Sequence, residues 1–116
     1  MIDDVRQVQT EGADESWERE TSEPDVRGVG ADRIDFAGGW NVTVAVMEFV
    51  QEDPLESELR RRVAAALLSV DGAESAGEMD REVWFVTGTP SGEALVWAVA
   101  AVVDDLADQT RAYAGG

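Results

Sequence analysis

The sequence predicts an α+β fold, in which two helices cover one face of an antiparallel sheet. Two segments rich in β-branched residues, 40–50 and 82–87, indicate strands. Two longer segments, 53–70 and 92–113, carry apolar residues at helical spacing and indicate helices. Weaker strand signals precede the first of these strands and separate the first helix from the second strand. The predicted order is therefore (β)βαββα.

The first strand signals are joined by a glycine turn. Residues 34–36 form the short leading strand, and Gly38 and Gly39 supply the positive φ angles that a tight hairpin connection needs. In the segment 40–50, the alternating residues that point to opposite faces of the sheet are apolar on both faces. An antiparallel sheet with helices on one side normally alternates apolar and polar residues, so we expect something to cover the second face.

The first helix has clear signals at its start. Asp53 can cap the first turn, Pro54 fits into it, and Glu56 completes a capping box. Glu56 and Glu58 each stand four residues before an arginine of the run 60–62, which is the favourable orientation for ion pairs. The three arginines are therefore predicted to form a solvated helix face rather than an anion site.

The second half of the chain repeats the alternation of strand and helix. Asp71 and Gly72 end the first helix, and a weak strand follows at 73–79. After a turn and the strand 82–87, Ser91 caps the long helix 92–113. A βαββα core of this kind resembles the ferredoxin-like split βαβ fold without its last strand.

Residues 1–32 differ in composition from the rest of the chain. They are rich in acidic residues, serine and glycine and show no apolar periodicity, which is typical of a solvated tail. Trp17 is the large apolar side chain in this stretch, and we interpret it as a loosely packed aromatic rather than a docking anchor. The predicted organisation is a disordered acidic arm at 1–32 and a single α+β domain at 33–116.

The charge of the chain is extreme. Its 116 residues include 25 acidic and nine basic residues, a net charge of −16, and all nine basic residues are arginine. This composition resembles that of proteins adapted to high salt, where a Debye length of about 3 Å at 1 M screens carboxylate repulsion. An acidic protein from a GC-rich genome is the alternative explanation.

The same charge excludes several classes of partner. Nucleic acids and anionic membranes need a basic patch, and the run 60–62 lies among glutamates, so we expect neither partner. The longest apolar run, 94–103, is too short to span a bilayer. The first residues are acidic and lack an apolar stretch, so we expect no secretory signal and a cytoplasmic location.

The absence of histidine, cysteine and lysine limits the chemistry. Ser-His-Asp and Cys-His nucleophilic sites, Schiff bases and Cys/His zinc sites all need one of these residues. The alternating acids Glu78, Asp80 and Glu82 could bind a divalent cation, but chance clustering explains them better in so acidic a chain. We predict no catalytic, cofactor-binding or metal-binding residue, and therefore no enzyme.

The hypothesis that remains is a non-catalytic module that self-associates or docks another protein. Its motivation is the apolar second face of the sheet and the long helix, which is apolar around most of its circumference. A homo-oligomer is the expected form. The predicted contact residues are Trp84, Val86, Val96, Trp97 and Val103.

Two alternatives stay open. A regulatory domain could sense a small molecule at the glycine-bearing turn from Gly88 to Gly92, since a helix begins there. An acidic inhibitor or immunity-type protein could mask a basic partner, because opposite charge speeds association.

Overall fold

The chain folds as an α+β domain with two helices and a six-stranded antiparallel sheet, which confirms the predicted class. The computed structural model describes residues 5–9, 11–19, 28–34, 39–44, 56–80 and 83–115, the side chains of 39–41, 44, 56, 57, 80, 107 and 110–115 excepted. The strands are β1 (Arg6–Val8), β2 (Glu15–Arg19), β3 (Val29–Ile34), β4 (Gly39–Val44), β5 (Ala73–Asp80) and β6 (Val83–Gly88), and the helices are α1 (Glu56–Leu68) and α2 (Gly92–Gly115).

The sheet contains a split βαβ unit. Its strand order is β1-β2-β3-β4-β6-β5, and every neighbouring pair is antiparallel. β4 and β5 therefore run parallel to each other, α1 connects them, and β6 lies between them. This part agrees with the ferredoxin-like order. The other edge of β4 pairs with β3, so a strand from the start of the chain lies where a ferredoxin-like sheet has its last strand.

The first third of the chain contributes three strands, where the sequence analysis expected a disordered arm at 1–32. β2 pairs with β3 along its whole length, and β1 pairs with β2. Trp17 packs against the core, and its indole N–H donates a hydrogen bond to Glu15 Oε1 at 2.6 Å. Ser16 is buried and donates to Asp32 Oδ1 at 2.7 Å. Polar side chains thus satisfy one another within the sheet, and few apolar residues are needed to hold these strands.

The core lies between one face of the sheet and the two helices. Cross-strand pairing places Trp17, Ala31, Val42 and Trp84 in one row across four neighbouring strands. The last three of these are fully buried under the helices. The remaining core side chains come from the same face and from both helices, and they include Val29, Val86, Leu59, Val63, Leu67, Leu95, Val96, Val99, Val103 and Leu106.

A buried ion pair joins the N-terminal strands to α2. Arg19, at the end of β2, is 1% exposed, and its Nη1 lies 2.8 and 2.9 Å from the two carboxylate oxygens of Asp104. A buried arginine needs such a partner, because an uncompensated charge in the interior is costly. The pair fixes the β2–β3 end of the sheet under the second half of α2.

The turn after α1 packs against the turn before α2. The backbone N–H of Thr89 donates to the carbonyl of Gly72 at 2.9 Å, and Gly72 has a φ of +92°. α1 ends at Leu68, four residues before that glycine. α2 begins as predicted, since Ser91 Oγ accepts a hydrogen bond from the N–H of Ala94 at 3.4 Å.

The later element boundaries agree closely with the sequence, whereas the leading strand was predicted at 34–36 and β3 spans Val29–Ile34. The first helix was predicted to reach residue 70 and ends at Leu68. The weak strand 73–79, the strand 82–87 and the helix 92–113 correspond to β5, β6 and α2. Several predicted features lie outside the described residues: strand residues 35–36, the glycine turn at 37–38, strand residues 45–50, the helix start at 53–55 and the turn residue 81.

High salt should stabilise this fold. With a net charge of −16, repulsion among carboxylates opposes compaction, and dissolved salt screens it. Raising potassium chloride from 0.1 to 2 M should stabilise the domain by about 1 kcal/mol, which corresponds to roughly 4–8 °C in Tm. Thermal unfolding followed by circular dichroism measures this.

The control removes charge instead of screening it. Glu11 and Glu74 are exposed, so Glu11→Gln combined with Glu74→Gln should raise Tm in dilute buffer and reduce the increment caused by salt. A Tm that stays constant or falls with salt would show that self-repulsion does not limit the stability of this chain.

Candidate docking surface

Four of the five predicted contact residues lie in the core instead. Trp84, Val86 and Val96 are 0% exposed and Val103 is 3% exposed, within a single chain. They are buried because the even-numbered residues of β6 face the helices, and because the apolar stripe of α2 packs on the sheet. They are not available as a contact surface in this fold. Trp97, which is 46% exposed, remains.

The long helix is covered on more sides than its sequence suggested. α2 packs against β2, β3 and β4 on one side and against α1 on another. Alanines occupy much of the rest, and Ala94, Ala98 and Ala101 are partly or fully exposed. A small side chain exposes little apolar area, so Trp97 is the large apolar group on this surface of the helix.

The face of the sheet opposite the helices is mainly polar in its described part. Strand pairing places Glu18, Asp32, Thr43 and other polar side chains there. Phe85 and Val83 on β6 share this face, and both are only partly exposed. The second apolar set of the segment 40–50, at positions 45, 47 and 49, lies outside the described residues. The described part therefore shows a weaker apolar face than the sequence analysis expected.

A second exposed apolar side chain, Leu68, lies at the same end of the helix layer as Trp97. Arg62 on α1 contacts Asp105 on α2 at 2.7 Å, and the turn after α1 contacts the turn before α2, so the helices are antiparallel. From the contact between Arg62 and Asp105, Leu68 lies about 9 Å along α1 and Trp97 about 12 Å along α2 in the same direction. The two side chains, 50% and 46% exposed, therefore occupy the same end of the helix layer. They point to opposite flanks of that layer. Leu68 lies on the side of α1 away from Arg62, which faces α2. Trp97 lies on the side of α2 that carries Asp104, which faces β2.

Two carboxylates accompany this pair of apolar residues. Glu93 precedes Trp97 by one helical turn and is partly exposed, and Asp71 is exposed in the turn that follows Leu68. Neither carboxylate forms an ion pair with any of the described side chains. We call the surface formed by Glu93 and Trp97 on α2, with Asp71 in the adjoining turn, the Trp97 patch.

The arginines of α1 are engaged elsewhere. Arg60 pairs with Glu78 on β5 at 3.5 Å, Arg61 pairs with Glu58, and Arg62 pairs with Asp105. The predicted pair of Glu58 with Arg62 is replaced, because Arg62 reaches the neighbouring helix. Arg60 and Arg62 thus link α1 to other elements, Arg61 pairs within its own helix, and none of the three neutralises the Trp97 patch.

The other sites considered from the sequence gain little support. The backbone of Gly72 fills the space beside Gly88, and the N–H of Thr89 is already used, so the turn before α2 is closed on that side. Glu82 and the side chain of Asp80 lie outside the described residues. In the described part of the chain, no group of three acidic, histidine or cysteine residues is placed to hold a metal ion.

A shallow depression lies beside the turn between β1 and β2. Polar and acidic side chains line most of it, including Gln7, Gln9, Glu11, Asp14 and Glu15. It is partly open to solvent. Of the two helices that the structure describes, neither is both long and apolar enough to cross a membrane.

Trp97 was predicted as a contact residue, whereas the exposure of Leu68 was not predicted. The signal was present, since Leu68 lies outside the stripe of α1 that contains the buried Leu59, Val63 and Leu67. A leucine off the apolar stripe of a helix is expected to be exposed.

No family model matches the chain, and no curated protein or solved structure is significantly similar to it.

Proposed function

We propose that this chain is a non-catalytic protein-interaction module that docks a protein through the Trp97 patch. The observation that carries the proposal is the half-exposed indole of Trp97, with the partly exposed Glu93 one helical turn away, on an otherwise well-packed helix layer. Tryptophan is the side chain most enriched where interfaces concentrate their binding energy. The compartment that we propose, the cytoplasm, rests on the sequence alone.

The chemistry of the chain supports a binding role over a catalytic one. It has no histidine, cysteine or lysine, so proton transfer would depend on carboxylates or on its one tyrosine. Several carboxylates that the structure describes are engaged in ion pairs that join elements of the fold, among them Glu78, Asp104 and Asp105. These groups support the scaffold.

Of the two alternative functions, an acidic inhibitor would bind its partner through the same Trp97 patch. It differs from a general docking module only in what the partner does, and the net charge of −16 favours it equally. The sensing domain has less support, because the turn at Gly88 packs tightly against the neighbouring turn.

Light scattering after size exclusion, combined with binding of a hydrophobic dye, tests the proposal. We expect the wild-type chain to be either an oligomer or a monomer that binds the dye. Trp97→Ser should abolish the association of an oligomer or the dye binding of a monomer, because it removes the largest exposed apolar group on the helix layer. Circular dichroism should show an unchanged fold, since the indole is about half exposed.

Met79→Ser is the matched control. Met79 is 64% exposed and lies near the end of β5 that is distant from the turn at Gly72. This substitution should leave association and dye binding as they are. A monodisperse wild-type monomer that binds no dye would contradict the proposal, and so would equal effects of the two substitutions.

A further inference from the structure

The Trp97 patch is small compared with the interfaces of stable dimers. The half-exposed indole of Trp97 offers on the order of 100 Å² of apolar area, judged from the size of an aromatic side chain. A stable protein–protein interface buries roughly 800 Å² on each partner. The area suits one or two anchoring side chains of a short segment.

The charge of the patch argues against a second copy of this chain. A symmetric dimer places the same patch on both subunits, so Glu93 and Asp71 of each would face the carboxylates of the other. Each chain also carries a net charge of −16. Like charges brought together at an interface reject a partner, whereas opposite charges accelerate encounter and fix register.

From these observations we infer that the Trp97 patch binds a short basic segment of another protein, with an arginine or lysine side chain stacked on the indole of Trp97. This inference rests on the proposed function and names its partner class. A guanidinium above an indole face is attracted by the ring quadrupole. Glu93, one turn away on the same helix, then supplies the counter-charge, and the apolar part of the indole contacts the aliphatic stem of the cation.

The geometry gives each group a separate part in binding. Trp97 contributes both apolar area and the aromatic face, so its loss removes the anchor. Glu93 acts through charge at about 6 Å from Trp97 along the helix, the spacing of residues four apart. Asp71 lies in the adjoining turn and acts at longer range, so salt weakens its contribution more strongly.

The test uses the full chain and a labelled twelve-residue peptide of alternating arginine and leucine, followed by fluorescence anisotropy at 0.15 M salt. The same peptide with citrulline in place of arginine keeps the shape of the side chain and removes its charge. We expect the arginine peptide to bind at least tenfold more tightly than the citrulline peptide. Trp97→Ala should weaken binding of the arginine peptide at least tenfold.

A matched pair of charge substitutions separates local recognition from diffuse attraction. Glu93→Gln should weaken binding about threefold to tenfold and reduce its salt dependence. Asp108→Asn removes the same charge from an exposed position about 22 Å further along α2 than Glu93, and it should change binding less than twofold. Equal effects of Glu93→Gln and Asp108→Asn would overturn the inference, because they would show non-specific attraction to the acidic chain.

The remaining outcomes distinguish this inference from the proposed function. Equal binding of the citrulline and arginine peptides, abolished by Trp97→Ala, would overturn the basic partner and keep a docking module. If the arginine peptide does not bind but Trp97→Ser still abolishes dye binding, the basic partner is overturned and the docking module is kept. A dimer in 0.15 M salt that Trp97→Ser dissociates would show that the occupant is a second copy of this chain.

Discussion

Replacing Asp104 by asparagine should lower the free energy of unfolding by about 3 kcal/mol. Asparagine keeps the shape of the side chain but removes the charge that compensates Arg19, which is 1% exposed. Removing one partner of a buried ion pair typically costs 3–5 kcal/mol, because the other charge stays in the interior. We expect a value near the lower limit, since Asp104 itself is 32% exposed and water can partly replace it.

Urea unfolding measures this loss, and the neighbouring residue supplies the control. Asp105→Asn makes the same chemical change one position along α2, where Asp105 pairs with Arg62 at 2.7 Å on the surface. Exposed ion pairs contribute about 0–1 kcal/mol, so this variant should unfold near the wild-type midpoint. If the two variants were equally stable, the pair of Arg19 with Asp104 would not hold the N-terminal strands in place.

A double substitution tests the reason for the loss. Arg19→Met with Asp104→Leu removes both charges and keeps comparable volumes. Replacing a buried ion pair by apolar residues is often neutral or stabilising, so the double variant should recover most of the stability that Asp104→Asn loses. A double variant that is less stable than the single one would mean that the ion pair contributes specific hydrogen bonding that packing does not replace.

The buried pair also explains why the N-terminal strands could not be predicted. Arg19 stands between two glutamates in a polar stretch, and its partner lies 85 residues further along the chain. Apolar periodicity, the main signal in a sequence, does not report a contact between two charged side chains. The polar pairs in β2, such as Ser16 with Asp32, escape detection in the same way.

The later elements were predictable because their signals are local. Ser91 caps α2 through its own hydroxyl group, and the β-branched residues of β6 favour extended backbone wherever the strand lies. The split βαβ order was predicted through the resemblance of the βαββα element order to the ferredoxin-like fold, and β6 does lie between β4 and β5. These local signals do not indicate which strand pairs with the other edge of β4.

Apolar patterns in the sequence do not predict which apolar residues of a helix or strand are exposed. Trp84, Val96 and Trp97 are all apolar residues in apolar segments, yet two are fully buried and one is about half exposed. The pattern indicates that a helix has several apolar sides. It does not indicate that α1 and three strands cover all of them except the side that carries Trp97.

Gly88→Ala should destabilise the domain by about 3–5 kcal/mol, from backbone strain and from a clash. Gly88 ends β6 with a φ of +113°, a conformation that residues with a Cβ rarely adopt. A Cβ atom at this position would lie 2.2 Å from the carbonyl oxygen of Gly72 and 3.0 Å from the backbone nitrogen of Glu74. Both neighbours are backbone atoms, so relief requires the turn after α1 to move away from the turn before α2.

Gly77→Ala is the matched control, because it makes the same change in the adjacent strand. Gly77 lies within β5, and a Cβ there would meet nothing within 4 Å. A glycine inside a strand costs roughly 0.5–1 kcal/mol relative to alanine, so this variant should be slightly more stable than the wild type. Urea midpoints that shift in opposite directions would therefore locate the constraint at the contact between the two turns. A Gly88→Ala variant as stable as Gly77→Ala would show that this contact can open without loss, and the position of Trp97 relative to Leu68 would then be variable.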